Sequence, residues 1–152
     1  MHAATELVHG TCVTLGRRAA LLRGPPGSGK SDLALRCLFL ARRGPAALEA
    51  PALVADDQVR LSRDGDRVLA AAPESIAGKM EVRGLGIVGI KPTAESELVL
   101  VVDLVDSASV ERLPPPATVR LLGVDLPLLR LAPLEASAPI KLALALARTG
   151  RS

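Results

Sequence analysis

The octapeptide Gly24-Pro25-Pro26-Gly27-Ser28-Gly29-Lys30-Ser31 constrains this chain more than any other feature. It fits G-x-x-x-x-G-K-[ST] at every position, and its flanks fit as well. The short apolar run 19–22 precedes it as a buried strand. Residues 31–41 follow with Leu33, Ala34, Cys37, Leu38 and Ala41 at helical spacing. A strand that enters a Gly-rich turn and opens a helix lets backbone N–H groups converge on phosphate oxygens. The helix start adds the positive end of its dipole. A lysine at this spacing reaches the β- and γ-phosphates, and the hydroxyl beside it can ligate Mg2+. Gly24, Pro25, Pro26, Gly27, Ser28, Gly29, Lys30 and Ser31 are therefore expected to hold ATP, with Ser31 on Mg2+. The motif is silent about what receives the phosphoryl group.

Beyond the octapeptide the chain is rich in hairpin signals. Residues 11–15 alternate and read as a strand, residues 16–18 as a turn. Residues 52–55 form a strand that runs into Asp56-Asp57. Residues 59–62 and 68–71 flank Arg63-Asp64-Gly65-Asp66, a hairpin turn, and residues 74–77 read as one helical turn. Residues 80–90 mix strand formers with three glycines, and residues 98–104 form a buried strand. Pro114-Pro115-Pro116 interrupts the chain. Residues 118–122 and 126–131 form a second hairpin around Gly123-Val124-Asp125. Residues 137–148 read as a C-terminal helix with Ser137 as its cap and Gly150 just past its end. Residues 42–51 are a loop or a short turn. With no internal repeat and no long linker, residues 1–152 read as a single domain. The expected class is α/β: a mixed sheet with hairpins, one P-loop helix and a C-terminal helix, in place of a repeating βαβ pattern.

Composition excludes several functions. One Phe and no Trp or Tyr leave no stacking platform for single-stranded nucleic acid. A net charge of +3 is spread along the chain without a basic strip, so no nucleic-acid partner is expected. No apolar run approaches the ~20 residues of a membrane span, and the first residues lack the basic-then-apolar pattern of a leader. A soluble, cytoplasmic protein is expected. Cys12 and Cys37 show no zinc spacing and read as buried, reduced thiols.

A P-loop protein needs a further acidic group on the metal side. Two apolar strands end in one: residues 52–55 before Asp56-Asp57, and residues 98–102 before Asp103. By hydropathy alone Asp103 looks more like the metal-side residue. The adjacent pair offers something else. Continued as a strand, Asp56 and Asp57 point to opposite faces, so one can face the γ-phosphate as a proton acceptor while the other orients or binds metal. Arg23, beside the octapeptide, reads as a surface residue.

Four more segments fall in order around the octapeptide. His9-Gly10-Thr11-Cys12-Val13 begins 15 residues before Gly24, and Leu53-Val54-Ala55-Asp56-Asp57 follows it. Met80-Glu81-Val82-Arg83-Gly84-Leu85-Gly86-Ile87 comes next. Glu111-Arg112-Leu113 precedes Leu122-Gly123-Val124-Asp125-Leu126-Pro127. Together they resemble the catalytic domain of bacterial HPr kinase/phosphorylase from about residue 9 to the C-terminal helix. The string at 80–87 is the most specific element, and the likeness is greatest to the short alphaproteobacterial form that lacks the N-terminal domain of longer enzymes.

The resemblance implies a P-loop kinase domain of the HPr kinase/PEP carboxykinase-like type. It implies ATP- and Mg2+-dependent phosphorylation of a serine on HPr or a related phosphotransferase-system carrier, with dephosphorylation as the family's second activity, and a homo-oligomer, a hexamer in the family. It gives Lys30 and Ser31 the P-loop roles, Glu81 the second magnesium position, His9 an active-site histidine and Arg112 an essential arginine. One of Asp56 and Asp57 takes the serine proton, with the likeness leaning to Asp57. The plain alternative for Glu81 and Arg83 is a cross-strand charge pair. Two departures stand out. Ala136-Ser137-Ala138-Pro139-Ile140-Lys141 lacks the Gly-Arg pair that longer enzymes associate with dephosphorylation, so the likeness carries the kinase half more fully than the phosphorylase half. The loop 42–51 is longer than the family pattern. A P-loop kinase of a small metabolite and a non-catalytic nucleotide-sensing module are the alternative functions.

Overall fold

The computed structural model describes residues 4–40 and 51–149. The chain opens with three strands, β1 (Thr5–His9), β2 (Thr11–Leu15) and β3 (Arg18–Arg23), and then α1 (Lys30–Leu38). After the undescribed segment come β4 (Ala52–Ala55), the hairpin β5 (Gln58–Asp64) and β6 (Arg67–Ala71), and a helical turn at Glu74–Ile76. A small hairpin, β7 (Lys79–Val82) and β8 (Gly86–Gly89), leads to β9 (Ser96–Leu104). The hairpin β10 (Thr118–Leu121) and β11 (Val124–Leu131) and the helix α2 (Ala138–Arg148) complete the order.

Most of these elements match the sequence reading, with four differences. No sequence signal marks the edge strand β1: its residues are mostly exposed, and pairing with β5 from Thr5↔Ser62 to His9↔Gln58 is what makes it a strand. Helix α1 stops at Leu38 with Phe39 at its C-cap; Ala41, the loop 42–50 and Gly150 lie outside the described residues. The second hairpin turns on two residues, Leu122 (φ 49°) and Gly123 (φ 79°), because two successive left-handed residues match the twist of the flanking strands, so β11 begins at Val124. Ser137 occupies the N-cap of α2, but its hydroxyl makes no capping bond. Pro139 in the first turn helps set the helix start. At the other end the Arg18 guanidinium donates to Leu146 O at 2.9 Å and Thr149 O at 2.7 Å, a cation on the helix C-terminus.

The main sheet runs in the order β1-β5-β6-β9-β3-β2-β4, and β11 takes over beside β9 where β6 leaves off. β9 is parallel to β3 and β11 and antiparallel to β6, so the sheet is mixed. Strand alternation divides the interior in two. Ala20, Leu22, Leu100 and Val102 pack under α1 and α2 with Leu33, Cys37, Leu142 and Leu146. Ala19, Leu21, Leu98 and Val101 pack on the far face with Val59, Leu61 and Val68. Both cysteines are buried and free, one in each layer. Among the described residues no helix is long and apolar enough to cross a membrane.

Connectivity forces the sheet to curl. β1 lies at one edge, yet only Gly10 separates it from β2, the neighbour of the opposite edge strand β4. In the same way β4 reaches β5, the neighbour of β1, across only Asp56 and Asp57. These two crossings form a seam, and β5 touches both β2 and β4 there. The crossings are stitched by the Gly10 N–H donating to Asp57 O at 3.0 Å. Gly10 is required by close approach: a Cβ there would sit 2.9 Å from Leu22 O and 3.0 Å from Leu21 Cδ1.

Candidate active site

The octapeptide forms a tight turn between β3 and α1. Pro25 and Pro26 carry no N–H, and the Ser28 N–H is used within the turn, donating to Pro25 O at 3.0 Å. The N-cap of α1 is Gly29 (φ 101°), which has no side chain to cap the helix. The first helical bond runs from Leu33 N to Gly29 O, so the N–H groups of Lys30, Ser31 and Asp32 have no carbonyl of α1 to bond. Two further observations fit a phosphate cradle. The Ser28 hydroxyl is buried and has no hydrogen-bond partner among the described residues. Gly24 leaves room beside it: a Cβ there would come within 2.4 Å of Ser28 Oγ. Lys30 lies largely buried, its ammonium donating to Gly24 O at 2.7 Å and Pro25 O at 3.1 Å. The cation is thereby held over the turn that would carry the phosphates.

The acidic pair is set beside this turn by an irregularity in β4. Cys12 pairs with Ala55 and Val13 with Leu53, so Val54 is an extra residue, a β-bulge. The bulge changes the alternation. Leu53 packs on the helix side of the sheet, but Val54 and Ala55 both pack on the far side. The next residue, Asp56, therefore returns to the helix side. There its Oδ1 accepts the Ser31 hydroxyl at 2.7 Å and the Thr11 hydroxyl at 3.0 Å. Asp56 is 7% exposed.

Asp57 turns the other way. Its φ is +72°, and the Gln58 N–H donates to Asp56 O at 2.9 Å, closing a three-residue turn around it. Its carboxylate is exposed and faces His9, with Nδ1 to Oδ1 at 3.5 Å. The two carboxylates do diverge as the sequence suggests, but the cause is a bulge before them and a left-handed residue at Asp57, and not the alternation of a continued strand.

The remaining candidates are placed apart. Asp103 lies one residue before the end of β9 and is forked by Arg23 from the neighbouring strand, at 2.8 Å from Nε and 3.1 Å from Nη2. Asp103 is thus engaged structurally, and Arg23 is its partner where the sequence suggests a plain surface residue. Met80 and Val82 tie β7 to the helical layer, with Met80 buried against it. Glu81 lies between them on the opposite face, exposed and cross-strand from Ile87, and makes no ion pair with Arg83. Arg112 is exposed in the segment before β10. Among the described residues no hydrogen bond or ion pair joins Glu81 or Arg112 to the octapeptide, and no three His, Cys, Asp or Glu side chains gather as a metal cluster. Thr11 is the contact the sequence reading missed. Its signal is a hydroxyl at the start of a short strand, Thr11-Cys12-Val13-Thr14-Leu15, whose first four residues are all buried.

The family described as HPr Serine kinase C-terminal domain matches residues 1–139. The chain is similar to the HPr kinase/phosphorylase of Prosthecochloris aestuarii, at 37% identity over 135 residues, covering 81% of this chain and 37% of that protein. It is also similar to the HPr kinase/phosphorylase of Halalkalibacterium halodurans, at 39% identity over 89 residues, covering 58% of this chain and 26% of that one. The matched part thus spans 37% of the length of the first of these relatives and 26% of the second. The fold is similar to the Hpr(Ser) kinase/phosphatase from Coxiella burnetii, with a TM-score of 0.76 over 94% of both chains at 20% identity. That likeness extends to the mixed α/β architecture described above.

Proposed function

Because this chain belongs to the HPr serine kinase C-terminal domain family, we propose that it transfers the γ-phosphoryl group of ATP to a serine hydroxyl of HPr or a related phosphocarrier. Residues 1–152 act as one catalytic domain. The observation that carries the reading is the division of the acidic pair. Asp56 is buried against Ser31 at 2.7 Å, while its neighbour Asp57 is exposed beside His9. A metal-side carboxylate and a proton acceptor need these opposite settings, and a module that only binds nucleotide needs no exposed second carboxylate.

The amides at the start of α1 and the Lys30 ammonium would hold the β- and γ-phosphates. Ser31 and Asp56 would hold Mg2+, with Glu81 as a further ligand by family likeness; when bound, the ion neutralises charge on the phosphate oxygens. Asp57 accepts the proton as the serine oxygen bonds to the γ-phosphorus and the bond to the β,γ-bridging oxygen breaks, releasing ADP. His9 steadies the Asp57 carboxylate, and Arg112 meets charge on the transferring group. Phosphoryl transfer depends mostly on such positioning and charge stabilisation. Family likeness adds a cytoplasmic setting and a homo-oligomer, a hexamer.

The test is transfer of labelled γ-phosphate from ATP to purified HPr-type carriers. Label is expected on a carrier serine with the wild-type chain and is absent with Lys30→Ala. Bound ATP with no carrier labelled, or an unchanged rate in Lys30→Ala, overturns the reading and leaves a metabolite kinase or a nucleotide sensor.

A further inference from the structure

We propose that Thr11 is a positioning residue that holds the Asp56 carboxylate in register with Ser31, and so tunes how strongly a divalent cation couples to nucleotide binding. The inference rests on the reading of Ser31 and Asp56 given above. Thr11 is fully buried at the start of β2, a strand paired on both sides, by β3 and β4. A hydroxyl in such a setting costs free energy unless it is bonded. Its bond is to Asp56 Oδ1 at 3.0 Å, 45 residues away in sequence.

Asp56 Oδ1 receives two donors, Thr11 from the sheet and Ser31 from the octapeptide. They are not equivalent. Ser31 belongs to the turn that would carry the phosphates, and its oxygen would face the cation. Thr11 stands outside that turn on a strand locked on both sides. It fixes the rotation of the carboxylate before any ligand arrives. Among the described residues no hydrogen bond reaches Oδ2, so with Oδ1 fixed by two donors Oδ2 keeps its acceptor capacity for a ligand. Partners that orient a metal-side carboxylate in this way commonly change metal affinity when removed.

The test measures binding, not turnover. A fluorescent ATP analogue is titrated into the protein in EDTA and in saturating Mg2+, for wild type, Thr11→Val, Thr11→Ser and Asp56→Asn, with thermal midpoints recorded alongside. Valine keeps the shape of threonine and removes the hydroxyl. Thr11→Val is expected to bind in EDTA as wild type does and to lose about tenfold of the gain given by Mg2+, with its midpoint retained. Thr11→Ser is expected to restore the gain. If valine does not pack, Thr11→Ala carries the same expectation. The proposal is overturned if Thr11→Val keeps the full Mg2+ gain, or if EDTA binding and the midpoint fall in step and serine fails to rescue, as a purely structural role requires. Asp56→Asn separates the two levels. If it keeps the Mg2+ gain, the reading of the site itself falls. If it loses the gain while Thr11→Val does not, only the role of Thr11 falls.

Discussion

At the scale of single residues, the site turns on Asp57. A non-glycine residue at φ +72° is strained, of order 1–3 kcal/mol, and here the strain aims an exposed carboxylate at His9. Glycine relieves it. Asp57→Gly is therefore expected to leave the fold as stable as wild type or more stable by about 1 kcal/mol, while phosphoryl transfer is lost. Urea denaturation read beside the transfer assay checks this; a clear loss of stability would show that the conformation is not strained. The sequence presents Asp56 and Asp57 as an undivided pair because nothing local says which is buried. That difference comes from contacts 25 and 45 residues away, with Ser31 and Thr11. Asp103 shows the same limit in reverse. It follows an apolar run as a metal-side residue would, but Arg23 on the adjacent strand holds it, and no local pattern announces that pairing.

At the scale of elements, hairpins and helices were readable where turn chemistry and periodicity are strong, as in Arg63-Asp64-Gly65-Asp66 and α1. β1 was not, because its residues are exposed and only its partner β5 makes it a strand. The bulge at Val54 was equally hidden: Leu53-Val54-Ala55 reads as plain strand, yet the extra residue decides which way Asp56 faces. The joint between β1 and β2 is the element most exposed to a small change. A methyl at Gly10 would press on Leu22 O and Leu21 Cδ1, and neither the paired backbone nor a core leucine yields easily. Gly10→Ala is expected to cost about 1–3 kcal/mol and to lower transfer by displacing both His9 and Thr11. A thermal midpoint equal to wild type would show that the crossing relaxes freely.

At the scale of the molecule, the mixed sheet with few helices was legible from the alternation of hairpin signals around one P-loop. The seam was not, since closure of the sheet follows from pairings between distant strands. That seam brings His9, Thr11, Asp56 and Asp57 together; three of them stand out in the sequence, but their juxtaposition and the contact of Thr11 are made by overall topology. The two-layered interior makes a separate prediction. Burial raises both thiols, Cys37 from an ordinary 9.0 to about 12 and Cys12 further still. A group whose pKa is raised by folding contributes stability that is complete below its unfolded value and is lost as pH rises toward the folded one. Urea midpoints are expected to fall between about pH 9 and pH 12, and a Cys12→Ala/Cys37→Ala protein is expected to lose part of that slope; an identical slope in both would remove the thiols as its cause. The division of labour between the acidic residues is tested most directly by labelled γ-phosphate transfer to an HPr-type carrier, with nucleotide binding measured in parallel, for Asp56→Asn and Asp57→Asn. The expected result is that Asp57→Asn still binds nucleotide with its full Mg2+ gain but labels no carrier, while Asp56→Asn loses the Mg2+ gain itself. Transfer that survives in Asp57→Asn, or a Mg2+ gain lost in Asp57→Asn and kept in Asp56→Asn, would contradict it.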